Sequence, residues 1–470
     1  MVKNDKNVLD DDRIGRLLTK MAIPVFLSMA VTLAYNIIST IFVGHYVGSL
    51  AIGGIAFVAP IQVLGMAMAQ LFGVGGASVV SRAIGAGNRD RAERVLGNSL
   101  LCISILSVLI TLVGLINPEF WLKSLGVSPD ILPYAVDYFS IILFGFLFQN
   151  VAQTLSSLIT AEGNARVSMI GMVLGSIANI LFDVIFVVIL KWGVKGAAIG
   201  TVLAQALSTA YMLNYYYRGK SFLKIHLSKM SIQWDIIGSM AGIGVSVFFM
   251  DISWSVSGIL LNKALVIYGG GLAVSAYGIV SRLVSFSALP GMSVGLGMQP
   301  ILGFNYGKKR YDRALRVMKL TITITTICSI CIFFLFQIFS VQIAGIFTGD
   351  ADLIPLAAYA TRTVFSTNMV TGFIISCICI FQSLGKARQS FFISLRTVVF
   401  LLPFVLILPH FFKLDGVFLA YPLTEVCGFI LALGLFIPQM REFGKLNTGE
   451  KAAKTGGKDI IVDAKEPEID

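Results

Sequence analysis

Residues 168–190 read SMIGMVLGSIANILFDVIFVVIL, an apolar run of 23 residues broken by a single carboxylate, Asp183. As a helix the run is about 34 Å long, enough to cross a hydrocarbon layer about 30 Å thick. A backbone inside such a layer must satisfy its own hydrogen bonds, which leaves helices and closed barrels. Runs of this length recur along the chain, whereas a barrel would show short alternating segments. Only 13% of the 470 residues are charged and 56% are hydrophobic, too little charge to cover a soluble protein of this size. The expected class is all-α integral membrane protein.

Twelve transmembrane helices are expected, at about 21–46, 52–81, 95–116, 134–160, 168–190 and 194–217, then 237–267, 273–303, 317–339, 355–382, 391–411 and 415–438. They form two pseudo-symmetric six-helix bundles, 21–217 and 237–438. A cytoplasmic segment 1–20 precedes them, a polar, basic cytoplasmic linker 218–236 joins them, and 439–470 is a cytoplasmic, disordered tail. The polar start of the chain and the lack of a small-residue cleavage site argue against a removable signal peptide.

Net charge is +11, and its placement is informative. Lys123, Lys191, Lys195 and Lys413 are assigned to the outer side, and Lys263, Arg282 and Arg362 to spans, which leaves 29 of the 36 Lys and Arg counted on the cytoplasmic side, among them Lys319 and Arg396 near the inner starts of their expected spans. That bias sets the orientation, with both termini inside. The basic loops are thus a topology signal, and no nucleic-acid partner is expected. The six cysteines all lie in expected helices. Cys328 and Cys331 make a lone CxxC without a second pair or a nearby histidine, so no disulfide or metal is implied.

The two halves repeat each other at an offset of 222. GAGNRDRAERV from Gly85 matches GKKRYDRALRV from Gly307. Gly73 and Gly75 fall on Gly295 and Gly297, and Gly163, Ala165, Arg166 and Ser168 on Gly385, Ala387, Arg388 and Ser390. With six spans each, both halves enter the membrane from the same side, as parallel repeats, and such proteins bind substrate between them. The basic turns 82–94 and 304–316 read as structural. Pro24, Pro60, Pro290 and Pro300 mark helices able to kink.

A carboxylate at membrane depth costs about 3 kcal/mol or more and so faces protein or a wet cavity. Asn179 lies one helical turn before Asp183 on the same face. Counted from the outer ends of their spans, Ser39, Asp183 and Thr201 each lie about 10 Å deep, with Asn179 about 6 Å deeper. A carboxylate, an amide oxygen and two hydroxyls form a hard-oxygen set for a small cation such as Na+, with Asp183 and Asn179 as metal ligands, or for a proton. Asp251 in the seventh span bears the same cost and is a second functional candidate. Arg282 is expected to pair with it, to line the cavity or to form a structural ion pair. Glu425 is a weaker candidate. A subset of the 34 Phe and 16 Met could form a soft wall for varied apolar ligands. GxxxxGK[ST], DDxxD, HExxH and GxSxG motifs are all missing, so no enzyme is expected.

The chain resembles the multidrug and toxic compound extrusion (MATE) family over its membrane part, and within it the MepA-like branch. The resemblance rests on Leu33-Ala34-Tyr35-Asn36 followed by Thr40-Ile41-Phe42-Val43-Gly44, on Ala161-Glu162-Gly163-Asn164-Ala165, and on Asn179-Ile180-Leu181-Phe182-Asp183. It continues in the run from Gly193 through Gly196-Ala197-Ala198-Ile199-Gly200-Thr201, in Ala276-Tyr277-Gly278-Ile279, and in Gly303-Phe304-Asn305-Tyr306-Gly307. It implies a cation-coupling site at Asn179, Asp183 and Thr201. Many relatives carry an Asp in the first span where this chain has Ser39, in YNIIST. Tyr35 and Asn36 of that motif, with Asp251 and Arg282, are the substrate-contacting candidates. The expected protein is a monomeric secondary antiporter in the bacterial inner membrane. It exports amphipathic or cationic small molecules in exchange for Na+ or H+, with lipid as its surroundings and no cofactor. The alternatives are a flippase or exporter for a lipid-linked or other endogenous metabolite and, remotely, an integral-membrane transferase.

Overall fold

The computed structural model describes residues 8–219 and 221–454, and among these there is no strand. Nine helices of the described residues are long and apolar enough to span a membrane, and a pair bent by 51° makes a tenth. Two of them are too long to be single spans. The element Trp234–Gly307 has 74 residues, about 110 Å if straight. Gly270 breaks it with φ 67° and ψ −165°, a conformation open to glycine and costly for other residues. Both limbs return to one partner, since Met240 and Gly244 pack on residues 71–76 while Phe304 packs on Gly85. The element Leu402–Lys454 breaks in the same way at Lys413, with φ 50°, and Leu408 then faces Gly416. These breaks fall inside the short gaps expected from the sequence.

The result is twelve passes. In the first half they are α1 (Ile14–Tyr46), α2 (Ser49–Gly85), α3 (Arg89–Ile116), α4 (Leu132–Ala161), α5 (Ala165–Asp183, continued by a π-helical turn Val184–Ile189) and α6 (Gly193–Tyr217). In the second they are α7 (234–269), α8 (271–307), α9 (Tyr311–Phe347), the bent α10 (Leu353–Val364 and Asn368–Ser383), α11 (387–412) and α12 (414–454). Local chemistry sets the turns. Asn88 Oδ1 accepts from Arg91 N at 3.0 Å and caps α3, while Asn117 caps a short helix Pro118–Ser124 that carries Pro in its first turn.

Three apolar cores show how the halves meet. One joins Val43, Tyr138, Phe146 and Ala198 of the first half, and a second joins Leu265, Tyr277, Phe336 and Phe418 of the second. The third takes residues from both, among them Leu17, Val80, Leu158, Met240, Ile301, Phe381 and Phe443. This shared core lies at the end where the basic turns cluster. There Gly75 meets the Met240 carbonyl, Gly85 that of Phe304, Gly244 that of Leu71 and Gly307 that of Arg82. A Cβ on any of these would fall inside van der Waals contact, so backbones touch and the basic end is sealed. At the opposite end each half keeps a separate core.

The chain's start crosses the seal. Leu9 is fully buried, against Gly163 of the first half. Asp10 accepts from Lys308 Nζ at 2.8 Å and Arg310 Nη1 at 2.6 Å, and Asp12 from Arg313 Nη1 at 3.0 Å, all in the basic turn of the second half. Burial would push the Asp10 carboxyl up, but the Lys308 hydrogen bond and the Arg310 and Arg313 charges hold it below its ordinary range. The turn at 304–316 is therefore a clasp as well as a topology signal.

Candidate cation and substrate sites

In the first half α1, α5 and α6 converge on Asp183, which is wholly buried. The neighbouring backbone is close: a Cβ on Gly200 of α6 would lie 3.4 Å from Asp183 Oδ1. One turn earlier Asn179 Nδ2 donates to Thr201 Oγ1 at 3.0 Å, and Thr201 donates to the Ala197 carbonyl at 2.9 Å. Ser39 lies against the Asp183 carboxylate, and the hydroxyls of Tyr35 and Tyr138 lie within reach of its charge. Among the described residues Asp183 Oδ1, Asp183 Oδ2 and Asn179 Oδ1 have no hydrogen-bond partner. Three acceptors without hydrogen-bond partners thus meet in one buried pocket, where a proton or a cation would offset the cost of an uncompensated carboxylate. The π turn begins immediately after Asp183, a local rewinding often found at functional sites.

Between the halves lies a cavity of about 370 Å³, lined by Met29, Asn36, Gln70, Met172, Met292 and Gln299 among others. Asn36 is thus where substrate contact is expected. Tyr35 turns instead toward the Asp183 pocket. A second cavity of about 390 Å³ continues into the second half and shares Met29, Gln70 and Met292. Asp251 lines it and accepts from Gln70 Nε2 at 3.1 Å, a contact between the halves.

Arg282 corrects the sequence reading. It is exposed, lines neither cavity and makes no ion pair among the described residues. Counted from the break at Gly270, Asp251 lies 19 residues before and Arg282 12 after, which sets them about 10 Å apart in depth. Arg396 corrects it in the opposite direction. Counted by sequence with the cytoplasmic charges, it lines the second cavity. Its Nη2 lies 3.3 Å from Glu425 Oε1, while Thr371 Oγ1 donates to Glu425 Oε2 at 3.0 Å. A depth count would have found it, since Arg396 stands nine residues into a helix that starts at Ala387, about 14 Å along its axis. Gln70 and Tyr138 carry no sequence signal of this kind. They are identified only by the neighbours that the fold gives them.

A model of the MatE family matches residues 24–185 and 246–407, two segments displaced by the 222 residues that separate the repeated motifs. The multidrug export protein MepA of Staphylococcus saprophyticus is 25% identical over 421 residues, covering 88% of this chain and 92% of that protein. MepA of Staphylococcus haemolyticus is 25% identical over 424 residues, 90% and 93% of the two chains. Among solved structures, a ligand complex of the MATE multidrug transporter DinF-BH superposes with a TM-score of 0.85 at 36% identity, covering 91% of this chain and 96% of that one. A MATE in the bent conformation gives 0.87 at 24% identity, over 94% and 98%.

Proposed function

The chain belongs to the MatE family, and we propose that it is a secondary antiporter that exports amphipathic, often cationic compounds in exchange for a proton or a sodium ion. It is a multi-pass membrane protein of a transporter family whose relatives are named multidrug exporters. The observation that carries the coupling step is the set of unpartnered acceptors on Asp183 and Asn179. A proton or a Na+ ion neutralises this pocket, and its loss leaves a carboxylate that the surroundings do not compensate. The charge of that one residue then biases α1, α5 and α6 between two arrangements. With Ser39 in the first span the pocket holds one acidic group, so one coupling cation is bound at a time.

The substrate chamber is the pair of joined cavities. Met29, Met250, Met292 and Trp254 give a soft apolar wall that adapts to varied ring systems. Asp251 supplies a negative charge for cationic heads at the boundary between halves. With the basic end taken as cytoplasmic, the end closed by the glycine contacts faces inward. Alternating access then rocks the halves about the chamber until the glycine seal opens.

Reconstitution in liposomes tests this directly. Dye efflux is measured under a pH gradient and a sodium gradient applied separately, and one of the two should accelerate it. Efflux that only equilibrates the dye, with neither gradient able to drive accumulation, would remove antiport from the reading.

A further inference from the structure

The second-half cavity holds a charged group for which export of simple cations has no use. Its charged lining residues are Asp251, Glu425 and Arg396. Arg396 is held loosely: its Nε and Nη2 lie 3.4 and 3.3 Å from the same Glu425 oxygen, where a two-oxygen fork at about 2.7–2.9 Å is the strong arrangement. The other oxygen, Oε2, is taken by Thr371. Among the described residues no hydrogen bond occupies Arg396 Nη1. The guanidinium therefore offers an unused donor edge to the chamber.

The surroundings make room for that edge. Arg396 passes over Gly428 of α12, where a Cβ would lie 2.6 Å from Arg396 Cδ. It also stands at the head of a second π-helical turn, Thr397–Leu401. On the same lining Asp251 has a neutral partner, Gln70, as its hydrogen-bond donor. The cavity thus presents a cationic donor and, among the described residues, a carboxylate without a cationic partner.

We propose that this cavity is a subsite for zwitterionic amphiphiles, with Arg396 receiving the ligand's carboxylate and Asp251 its cationic group. The proposal rests on the joined cavities being the substrate chamber. With one cation and two carboxylates on its walls the site is net negative, so a simple anion adds to an existing repulsion. A zwitterion leaves the net charge unchanged and satisfies both ends. A planar guanidinium also reads carboxylate geometry in a way that a point charge does not.

The test is binding, measured without any gradient by fluorescence polarisation on purified protein in nanodiscs. The probes are a rhodamine dye with a free carboxylate and its ethyl ester, which is cationic only. In the charge-balanced double variant Arg396→Gln with Glu425→Gln, the carboxylate dye should weaken at least tenfold while the ester stays within twofold. Glu425→Gln alone releases the guanidinium and should tighten the carboxylate dye about threefold. Equal weakening of both dyes in the double variant, or no weakening of either, overturns the proposal. So does weaker carboxylate-dye binding in Glu425→Gln. Wild-type protein that binds the ester but not the carboxylate dye overturns this proposal alone. Wild-type protein that binds neither overturns the chamber reading and the proposal with it.

Discussion

Asn179 donates its amide hydrogen to the Thr201 hydroxyl at 3.0 Å, and this bond orients the Asn179 side chain so that its oxygen is the atom left free. Thr201 can accept because its own hydrogen is committed to the Ala197 carbonyl. Thr201→Val keeps the shape, removes the acceptor and leaves the Asn179 amide to rotate. The loss of one buried hydrogen bond is worth about 1–3 kcal/mol, so the concentration of coupling cation that gives half-maximal efflux should rise about 5- to 150-fold with expression unchanged. An unaltered half-saturating concentration would show that Asn179 is not oriented for the ion.

The seal at the basic end depends on glycine contacts as close as that of Gly75 with the Met240 carbonyl. Gly75→Ala forces these backbones apart, an overpacking cost of about 1–3 kcal/mol that falls on the sealed form. The population should shift toward the form open at the basic end. In a background cleared of the six natural cysteines, a cysteine at Ala77 should react several times faster with an impermeant thiol reagent in inside-out vesicles when Gly75→Ala is present. Equal rates would mean that the seal does not depend on this contact.

Much of this was legible in the sequence because membrane helices announce themselves locally. Span length, the 222-residue repeat and the isolated charge at Asp183 need no tertiary information. The grouping of Ser39, Asn179, Asp183 and Thr201 followed from depth along the helices, and the fold brings these residues together. Depth says nothing of rotation about a helix axis, which is why Arg282 was assigned to the chamber and lies outside it. Gln70 against Asp251 is a contact between halves, which no local pattern encodes. Arg396 lies inside the expected span 391–411 but is counted with the cytoplasmic charges, so its place on the chamber wall goes unread.

Glu162, between α4 and α5, is a buried carboxylate that anchors the linker through the Ser221 hydroxyl and the Phe222 N–H, the latter at 3.2 Å. Burial pushes its carboxyl up to about 7, against the opposing pull of these donors. The unfolded chain releases this proton near the ordinary glutamate value of about 4.3. Between that value and about 7 the native state holds a proton that the unfolded state lacks, so this residue's contribution to stability declines as pH rises through the window. In detergent, Glu162→Gln should melt at a higher temperature than wild type at pH 8, with the difference vanishing at pH 4. A difference of the opposite sign at pH 8 would mean that the charged form is the one the linker requires.

The clasp between Asp10 and the turn at Lys308 and Arg310 joins the chain's start to the second half, while Leu9 is buried against the first. Its ion pairs are half-buried, so each is worth about 1 kcal/mol and is screened by salt. Asp10→Asn should therefore lower the melting temperature by a few degrees at low ionic strength and by much less in 1 M salt. It should also speed labelling of the Ala77 cysteine from the basic end. A loss independent of salt would assign the effect to packing around Leu9.

The charge on Asp183 should be the quantity that the transport cycle changes. Among the described residues its two oxygens and that of Asn179 lack hydrogen-bond partners, so a proton or a cation would compensate the pocket. Asp183→Asn imitates the neutral state permanently. It removes the desolvation penalty, so the protein should fold and express at least as well as wild type. Gradient-driven efflux should nevertheless fall at least a hundredfold, because no charge is left to cycle. Ser39→Asp adds a second carboxylate beside the first, and two acids with the Asn179 oxygen favour a metal ion over a single proton. That variant should stay active and become more dependent on sodium. Efflux near the wild-type rate from well-folded Asp183→Asn would move the coupling site elsewhere, to Asp251 and its partner Gln70, the half-buried carboxylate at the boundary between the halves.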